Sequence, residues 1–569
     1  MHSMAEENEG HTIGNGEVKN FETRAGMAEK PLKPVNLQRI RDKAQNLRGD
    51  LLEQLNHRLD DLFDSFINEV EQIEQGPQSA NGSVRPQKQT VDHLALLRTG
   101  GRNESQGYKH AKRKDGELPD KVYINRRSVL TELLESSHIQ TIYHIFVAIL
   151  IVFSLNTLVY DWVEKGTLNL NFDLIVYAFG KFPKVMSLWM CMQLSSLLIV
   201  YPAFYYWATH RQPGVPFRGK VQRSDMYDLM WLGLVILYQT AFVVLPVLYV
   251  VENNLPPASS VVISCEQLRL IMKTHAFIRE NAYKVIYGKK DDDTGDESHG
   301  CPDFSKYLYF LFAPTLVYRD HYPRTKTIHW SYVVSNFGQV LACLFYTYYI
   351  FERFCVPVFQ NFNREHVTSK ALMLSVFGSM MPATLVLFIG FFAILHSWLN
   401  AFAEMLRFGD RLFYKDWWNS TTFSNYYRTW NVVVHDWLYC YVYKDICKLI
   451  GQKNRAGSMA MVFLISAVFH EYILVVTFRF FYPVLFVLFA GAGFGFIFLT
   501  DKGSSRSWNV FMWVMLFTGN GVLMCLYSME WYARQRCPVI SDSFLDYLIP
   551  RSWMCDFASI TPHEVAQIV

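Results

Sequence analysis

Polar and apolar positions divide this chain near residue 120. Residues 1–35 are rich in Glu, Gly and Lys and read as disordered. From residue 36 to 75 a pattern appears: Leu37, Ile40, Ala44, Leu47, Leu51, Leu55, Leu59, Leu62, Phe66, Val70 and Ile73 recur at spacings of three and four. This predicts one apolar stripe along a helix of roughly ten turns. A solitary solvated helix has no use for such a stripe. It is expected to pack against copies of itself, with a membrane-surface position or docking on the main body as alternatives. Residues 76–120 carry Gly, Pro, Ser and Lys without period and read as a linker.

Beyond the linker, residues 121–569 form long apolar blocks. Arg126 and Arg127 precede an amphipathic stretch, Ser128–His138. Eight runs are long enough to cross a hydrocarbon core of about 30 Å: Ile139–Tyr160, Met186–Trp207, Leu229–Val251, Tyr332–Phe351, Leu372–Leu395, Met459–Phe478, Tyr482–Leu499 and Val510–Tyr527. Leu268–Ile286 and Tyr307–Val317 are shorter or mixed, and read as re-entrant or buried. The pattern predicts an all-α polytopic membrane protein with about eight or nine crossings. Basic residues ahead of the first span place the amino terminus in the cytosol. Lys289–His299 reads as an exposed acidic loop.

Composition agrees. Only 18% of residues are charged, against about 25% in soluble domains. A net charge of +3 gives no support to nucleic-acid binding. The ten Cys show no metal-ligand spacing, so no metal is expected. Cys191, Cys343 and Cys440 read as small buried hydrophobes. No short apolar stretch follows Met1, so no cleaved signal peptide is expected.

Candidate chemistry sits where polar groups interrupt apolar surroundings. His470 lies in MVFLISAVFHEYILVVTF. It reads either as a buried His bonded to a carbonyl or as a base. Glu471 follows directly, about 100° around the helix, and is free to serve another neighbour. The segment Phe413–Trp437 is too polar for a lipid-facing span and too aromatic for an ordinary loop. It fits an interfacial aromatic belt or the lining of a cavity for an amphipathic ligand. Acyl transfer from a thioester would need only a base for the acceptor hydroxyl and a donor for the developing oxyanion. A neutral imidazole in an apolar tunnel suits the first task, since desolvation disfavours its charged form. An Asn amide suits the second, with Asn431 and Asn419 as candidates. Arg428, Lys415 and Arg455 suit CoA phosphates.

Three segments then carry a resemblance: HSWLNAFAEMLRFGDRLFYKDWWNS (His396–Ser420), SNYYRTWNVVVHDWLY (Ser424–Tyr439) and SAVFHEY (Ser466–Tyr472). FLFAPTLVYRDHYPR (Phe310–Arg324) and EWYARQRCP (Glu530–Pro538) extend it from about Lys121 to Cys555. The chain resembles the sterol O-acyltransferases of the membrane-bound O-acyltransferase family. The motif Phe413, Tyr414, Lys415, Asp416, Trp417, Trp418, Asn419 looks shared with diacylglycerol acyltransferases, whereas SNYYRTWNVVVHDW looks specific to the sterol branch. The resemblance implies nine transmembrane helices around an intramembrane tunnel. It implies His470 and Asn431 as catalytic residues. It implies acyl-CoA contacts at Asn425, Arg428, Asn431, His435, Tyr443, Arg455 and Ser466, and a position near sterol at His138. Where this chain has Arg455 the family pattern has Lys, which keeps the charge but not the contact geometry. It further implies a lumenal disulfide between Cys537 and Cys555, the endoplasmic reticulum membrane, dimers and tetramers assembled through the amino-terminal helix, and acyl-CoA as a substrate with no cofactor. Diacylglycerol or fatty-alcohol acylation, or a sterol carrier or sensor without chemistry, are the competing expectations.

Overall fold

A computed structural model describes residues 120–166, 172–211, 223–287, 301–359, 368–451, 454–500, 505–537 and 545–554. The chain divides into two units, Met1–Leu97 and Arg98–Val569, and every described residue belongs to the second. The expected disordered terminus, the striped helix 36–75, residues 76–119 of the linker, the acidic loop Lys289–His299 and Cys555 lie outside the described residues.

The described residues are almost all helical, with two isolated bridges, Arg126 to Asp410 and Arg324 to Phe408, in place of a sheet. A short helix α1 (Val129–Leu133) leads into α2 (Ser137–Lys165). There follow α3 (Asp173–His210), α4 (Arg223–Glu252), α5 (Pro257–Tyr287) and α6 (Phe304–Phe312). Then come α7 (Trp330–Phe359) and α8 (Ser369–Met405). Two short helices, α9 (Phe423–Trp430) and α10 (Val432–Trp437, continued by Leu438–Tyr443 and Lys444–Ile450), precede α11 (Arg455–Phe478). The last long elements are α12 (Val484–Thr500) and α13 (Ser507–Arg536).

Each of the eight runs expected to span falls on a helix. Seven helices among the described residues are long and apolar enough to cross a bilayer: α2, α3, α4, α7, α8, α11 and α13. The eighth, α12, has 17 residues, about 25 Å at 1.5 Å per residue. Among the described residues, length and composition thus give seven spans and one shorter apolar helix, against the nine that the resemblance implies. These helices turn their apolar side chains outward, as Phe146, Val152 and Val159 do on α2 and Leu232 and Leu237 on α4. Such surfaces suit lipid, not water.

The mixed run Leu268–Ile286 proves to be part of α5, a 31-residue helix in the protein core. Three of its long polar side chains are consumed internally. Gln267 donates to the carbonyls of Phe242 and Val243 on α4, both at 2.8 Å, and accepts from the Tyr472 hydroxyl of α11 at 2.6 Å. Lys273 donates to the carbonyls of Phe310 and Ala313 (2.5 and 2.7 Å), and Arg269 to that of Leu311 at 2.7 Å. The orphan carbonyls that end α6 are thereby satisfied. Helices α8 and α13 approach so closely that a Cβ on Gly521 would lie 2.9 Å from the Val376 carbonyl oxygen.

Candidate active site

The site is built around a broken helix. Thr422 caps α9, its Oγ1 accepting from Asn425 N at 3.1 Å. The helix stops at Asn431, whose backbone is extended (φ −137°, ψ 90°), and α10 begins at the next residue. Asn431 Oδ1 accepts from Val434 N at 3.1 Å. This N-cap bond orients the amide. The oxygen is thereby used, and among the described residues Nδ2 makes no hydrogen bond, leaving a free donor at a fixed place.

The Phe413–Asn419 motif braces that break. Phe413 O accepts from Val432 N at 2.9 Å, and Lys415 N donates to Thr429 O at 2.8 Å, so the two bonds straddle Asn431. Phe413, Tyr414 and Trp417 are buried, while Asp416 and Asn419 are exposed. The Trp417 ring packs edge-on against Trp430 at 4.6 Å and against Phe391 at 5.2 Å. The aromatic side of this segment is thus core packing. At Phe413, Tyr414 and Trp417 the rings close on one another and on α8, whereas Trp418, Tyr427, Trp430 and Trp437 are half-buried. Asn419 ends a short turn by donating its backbone N–H to Asp416 O at 3.0 Å. Asn425 donates from Nδ2 to Ser420 Oγ at 3.0 Å, and Asn509 holds the same turn through the carbonyls of Trp418 and Ser420.

His470 lies on α11. Its Nδ1 is 2.7 Å from the carbonyl oxygen of Ser466, one turn earlier. A carbonyl only accepts, so Nδ1 carries the proton and, in the neutral ring, Nε2 keeps a lone pair. The ring stacks on Phe489 of α12, with centroids 5.2 Å apart and planes at 21°. The His470 side chain is exposed rather than packed over by protein. The carbonyl bond foreseen for a buried His is present, but it comes from the residue's own helix and leaves the other nitrogen open. Glu471 does face another way. Its carboxylate accepts from Tyr527 Oη at 2.9 and 3.1 Å and from Phe486 N at 3.0 Å, tying α11 to α13 and to the start of α12.

Phe489 also joins the two halves of the site. Tyr427 of α9, one turn before Asn431, meets Phe489 edge-on at 5.3 Å and Phe463 at 4.9 Å. Room for the Tyr427 hydroxyl comes from Gly493, where a Cβ would lie 2.2 Å away. Along α10, His435 stacks on Tyr439 (6.5 Å, 8°) and Tyr439 on Tyr443 (5.8 Å, 17°), a column of rings leading away from Asn431. Arg428 and Arg455 are exposed and, among the described residues, form no ion pair. They suit an anionic group.

Other expectations stand apart. His138, in the first turn of α2, is exposed and makes no hydrogen bond, ion pair or ring contact among the described residues. Cys537 is buried just past α13, and its proposed partner lies outside the described residues. Cys191 is exposed rather than buried, because it faces outward from a spanning helix. Sequence reasoning also missed a buried network on α8: His396 Nδ1 lies 2.7 Å from Tyr414 Oη, and Asn400 Nδ2 donates to Ser128 Oγ at 3.1 Å. The signal was the same one that selects His470, an imidazole in an apolar run. Missed too was Asp436, which is 5% exposed, pairs with Lys121, and lies 3.6 Å from His435 Nδ1.

Comparison with known proteins places this arrangement. The profile of the membrane-bound O-acyltransferase family matches residues 166–529. The chain is 50% identical over 439 residues to sterol O-acyltransferase 1 of Mus musculus, covering 77% of this chain and 79% of that protein. It is 51% identical over 439 residues to sterol O-acyltransferase 1 of Chlorocebus aethiops, covering 77% and 78%. It is 47% identical over 438 residues to sterol O-acyltransferase 2 of Homo sapiens, covering 76% and 80%. A helical multi-pass chain that matches the profile over most of its apolar part, and is 50% identical to such a relative over 77% of its length, belongs to the membrane-bound O-acyltransferase family.

Proposed function

We propose that this enzyme transfers the acyl group of a long-chain acyl-CoA to the 3-hydroxyl of a sterol, releasing CoA and a sterol ester. The relatives are named as sterol O-acyltransferases, which supports the sterol acceptor and the acyl transfer. The observation that carries the mechanism is the hydrogen bond from His470 Nδ1 to Ser466 O, which leaves Nε2 as an exposed acceptor. The sterol oxygen attacks the thioester carbonyl while Nε2 takes its proton. The carbonyl oxygen gains charge and is met by Asn431 Nδ2. The C–S bond then breaks, and the imidazolium returns the proton to the CoA sulfur. The acyl group is already activated, so no covalent enzyme intermediate is needed. Arg428 and Arg455 hold phosphates of CoA, and His435, Tyr443, Asn425 and Ser466 line its path. His138 lies near the sterol. No cofactor takes part.

The same reading places the protein in the endoplasmic reticulum membrane with a cytosolic amino terminus, as a dimer or tetramer assembled through the helix 36–75. A disulfide joins Cys537 to Cys555. The test is release of CoA from oleoyl-CoA, with and without cholesterol, by wild type and His470→Ala. Sterol-dependent release should fall by about 10²–10⁴ in the variant, with acyl-CoA binding retained. Undiminished turnover would remove His470 from the reaction. Preference for diacylglycerol in competition would overturn the acceptor, and sterol binding without CoA release would make the protein a carrier.

A further inference from the structure

Residues Asp120–Arg126, where the described chain begins, form a non-helical strap across the site's supporting elements. Arg126 binds Asp410 through two bonds, Nε to Oδ1 at 2.6 Å and Nη2 to Oδ2 at 2.9 Å. Its backbone pairs with Gly409 and Arg411 (3.0 and 3.2 Å). Tyr123 Oη meets Thr315 Oγ1 at 2.8 Å. The strap's two remaining ion pairs both land on α10: Asp120 with Lys444, and Lys121 with Asp436.

These two pairs are not equivalent. The Asp120 side chain is 73% exposed, and such a pair contributes little. The Asp436 side chain is only 7% exposed and that of Lys121 12%. Taking Lys121 away leaves the buried Asp436 with only His435, 3.6 Å off and charged only when protonated, which costs far more than the pair itself is worth. Asp436 is one residue after His435 and five after Asn431, the cap that starts α10. A displacement of Asp436 toward solvent would therefore carry Asn431, His435 and Tyr443 with it, since one helix bears all of them.

We propose that Lys121 is a positioning residue for acyl-CoA: from the strap outside the helices it neutralises Asp436 and so sets the place of α10. The proposal rests on the reading of α9 and α10 as the acyl-CoA site. It is tested on the full-length protein through the KM for oleoyl-CoA and for cholesterol. Lys121→Met should raise the oleoyl-CoA KM about tenfold and lower kcat, because Asn431 moves with α10, while the cholesterol KM stays unchanged, and Lys121→Arg should restore both. In an Asp436→Asn background, Lys121→Met should have no effect, and this comparison also serves if the single variant does not fold. An unchanged oleoyl-CoA KM, equal losses for both substrates, or the same effect with and without Asp436 would overturn the proposal. Oleoyl-CoA binding by the same variants on a His470→Ala background separates the two readings. A weakened Kd there supports the role of Lys121 even if the chemistry assigned to His470 fails. No binding by any variant, Lys121 included, overturns both.

Discussion

Phe489 lies face to face with His470, ring centroids 5.2 Å apart and planes 21° from parallel. With Ser466 O occupying Nδ1, the imidazole is held on one face and at one nitrogen, and its remaining edge presents Nε2. The Phe489 ring is itself held by Tyr427 and Phe463, with centroids 5.3 and 5.8 Å away. The imidazole is thus oriented by a backbone carbonyl and a ring, with no carboxylate partner among the described residues.

Removing that ring should loosen the base without abolishing it. An aromatic pair contributes about 0.5–1.5 kcal/mol beyond area burial, so Phe489→Ala should lower kcat about two- to tenfold. Steady-state assays with oleoyl-CoA and cholesterol check this. A loss as large as that of His470→Ala would mean that Phe489 does more than orient.

Asn431 combines a cap and a free donor, and the two can be separated. Asp caps as well as Asn but offers no N–H. Asn431→Asp should keep the thermal midpoint of wild type while kcat falls about 10²–10³-fold. Asn431→Ala should lose both, with about 1 kcal/mol of stability gone as well. Thermal unfolding and turnover on both variants decide it.

Gly493 makes room for the Tyr427 hydroxyl, 2.2 Å from where a Cβ would stand. Gly493→Ala should lower stability by about 1–3 kcal/mol and reduce activity by displacing the end of α9. Tyr427→Phe removes the clashing oxygen and should rescue the variant. Failure of that rescue in a melting assay would assign the effect elsewhere.

Asp436 gives a pH dependence with a definite sign. Burial opposes its ionisation, yet His435 and Lys121 beside it hold its carboxyl below the usual carboxylate range. A carboxyl lowered in the folded state adds stability that is complete above its unfolded pKa of about 3.9. That contribution is lost as pH falls through the lower folded value. Wild type should therefore lose stability on acidification below about pH 4, and Asp436→Asn should show a smaller acid-side loss. Melting curves across that range measure the difference.

Much of the molecule is legible in one dimension. A run such as Ile139–Tyr160 must be a helix, because only a helix satisfies its backbone within lipid. His470 stands out because it interrupts such a run, and Asn431 because it lies in a segment too polar for a span; the helix break at Asn431 does not. The use made of the Phe413–Asn419 motif is not legible. Its rings read equally as belt or lining, and only the two bonds from Phe413 and Lys415 to the residues flanking Asn431 reveal a brace. The same holds for α5, whose mixed sequence became a core helix because its polar groups find partners on α4, α6 and α11.

The sequence alone determined the helical membrane character and the position of nearly every span, since periodicity and the cost of polar groups in lipid are local properties. Tertiary structure decided which nitrogen of His470 is open, that Asn431 spends its oxygen on a cap and keeps its N–H, and that Lys121 meets Asp436 across 315 positions. Those are matters of direction and distance between segments far apart along the chain. Only packing fixes them.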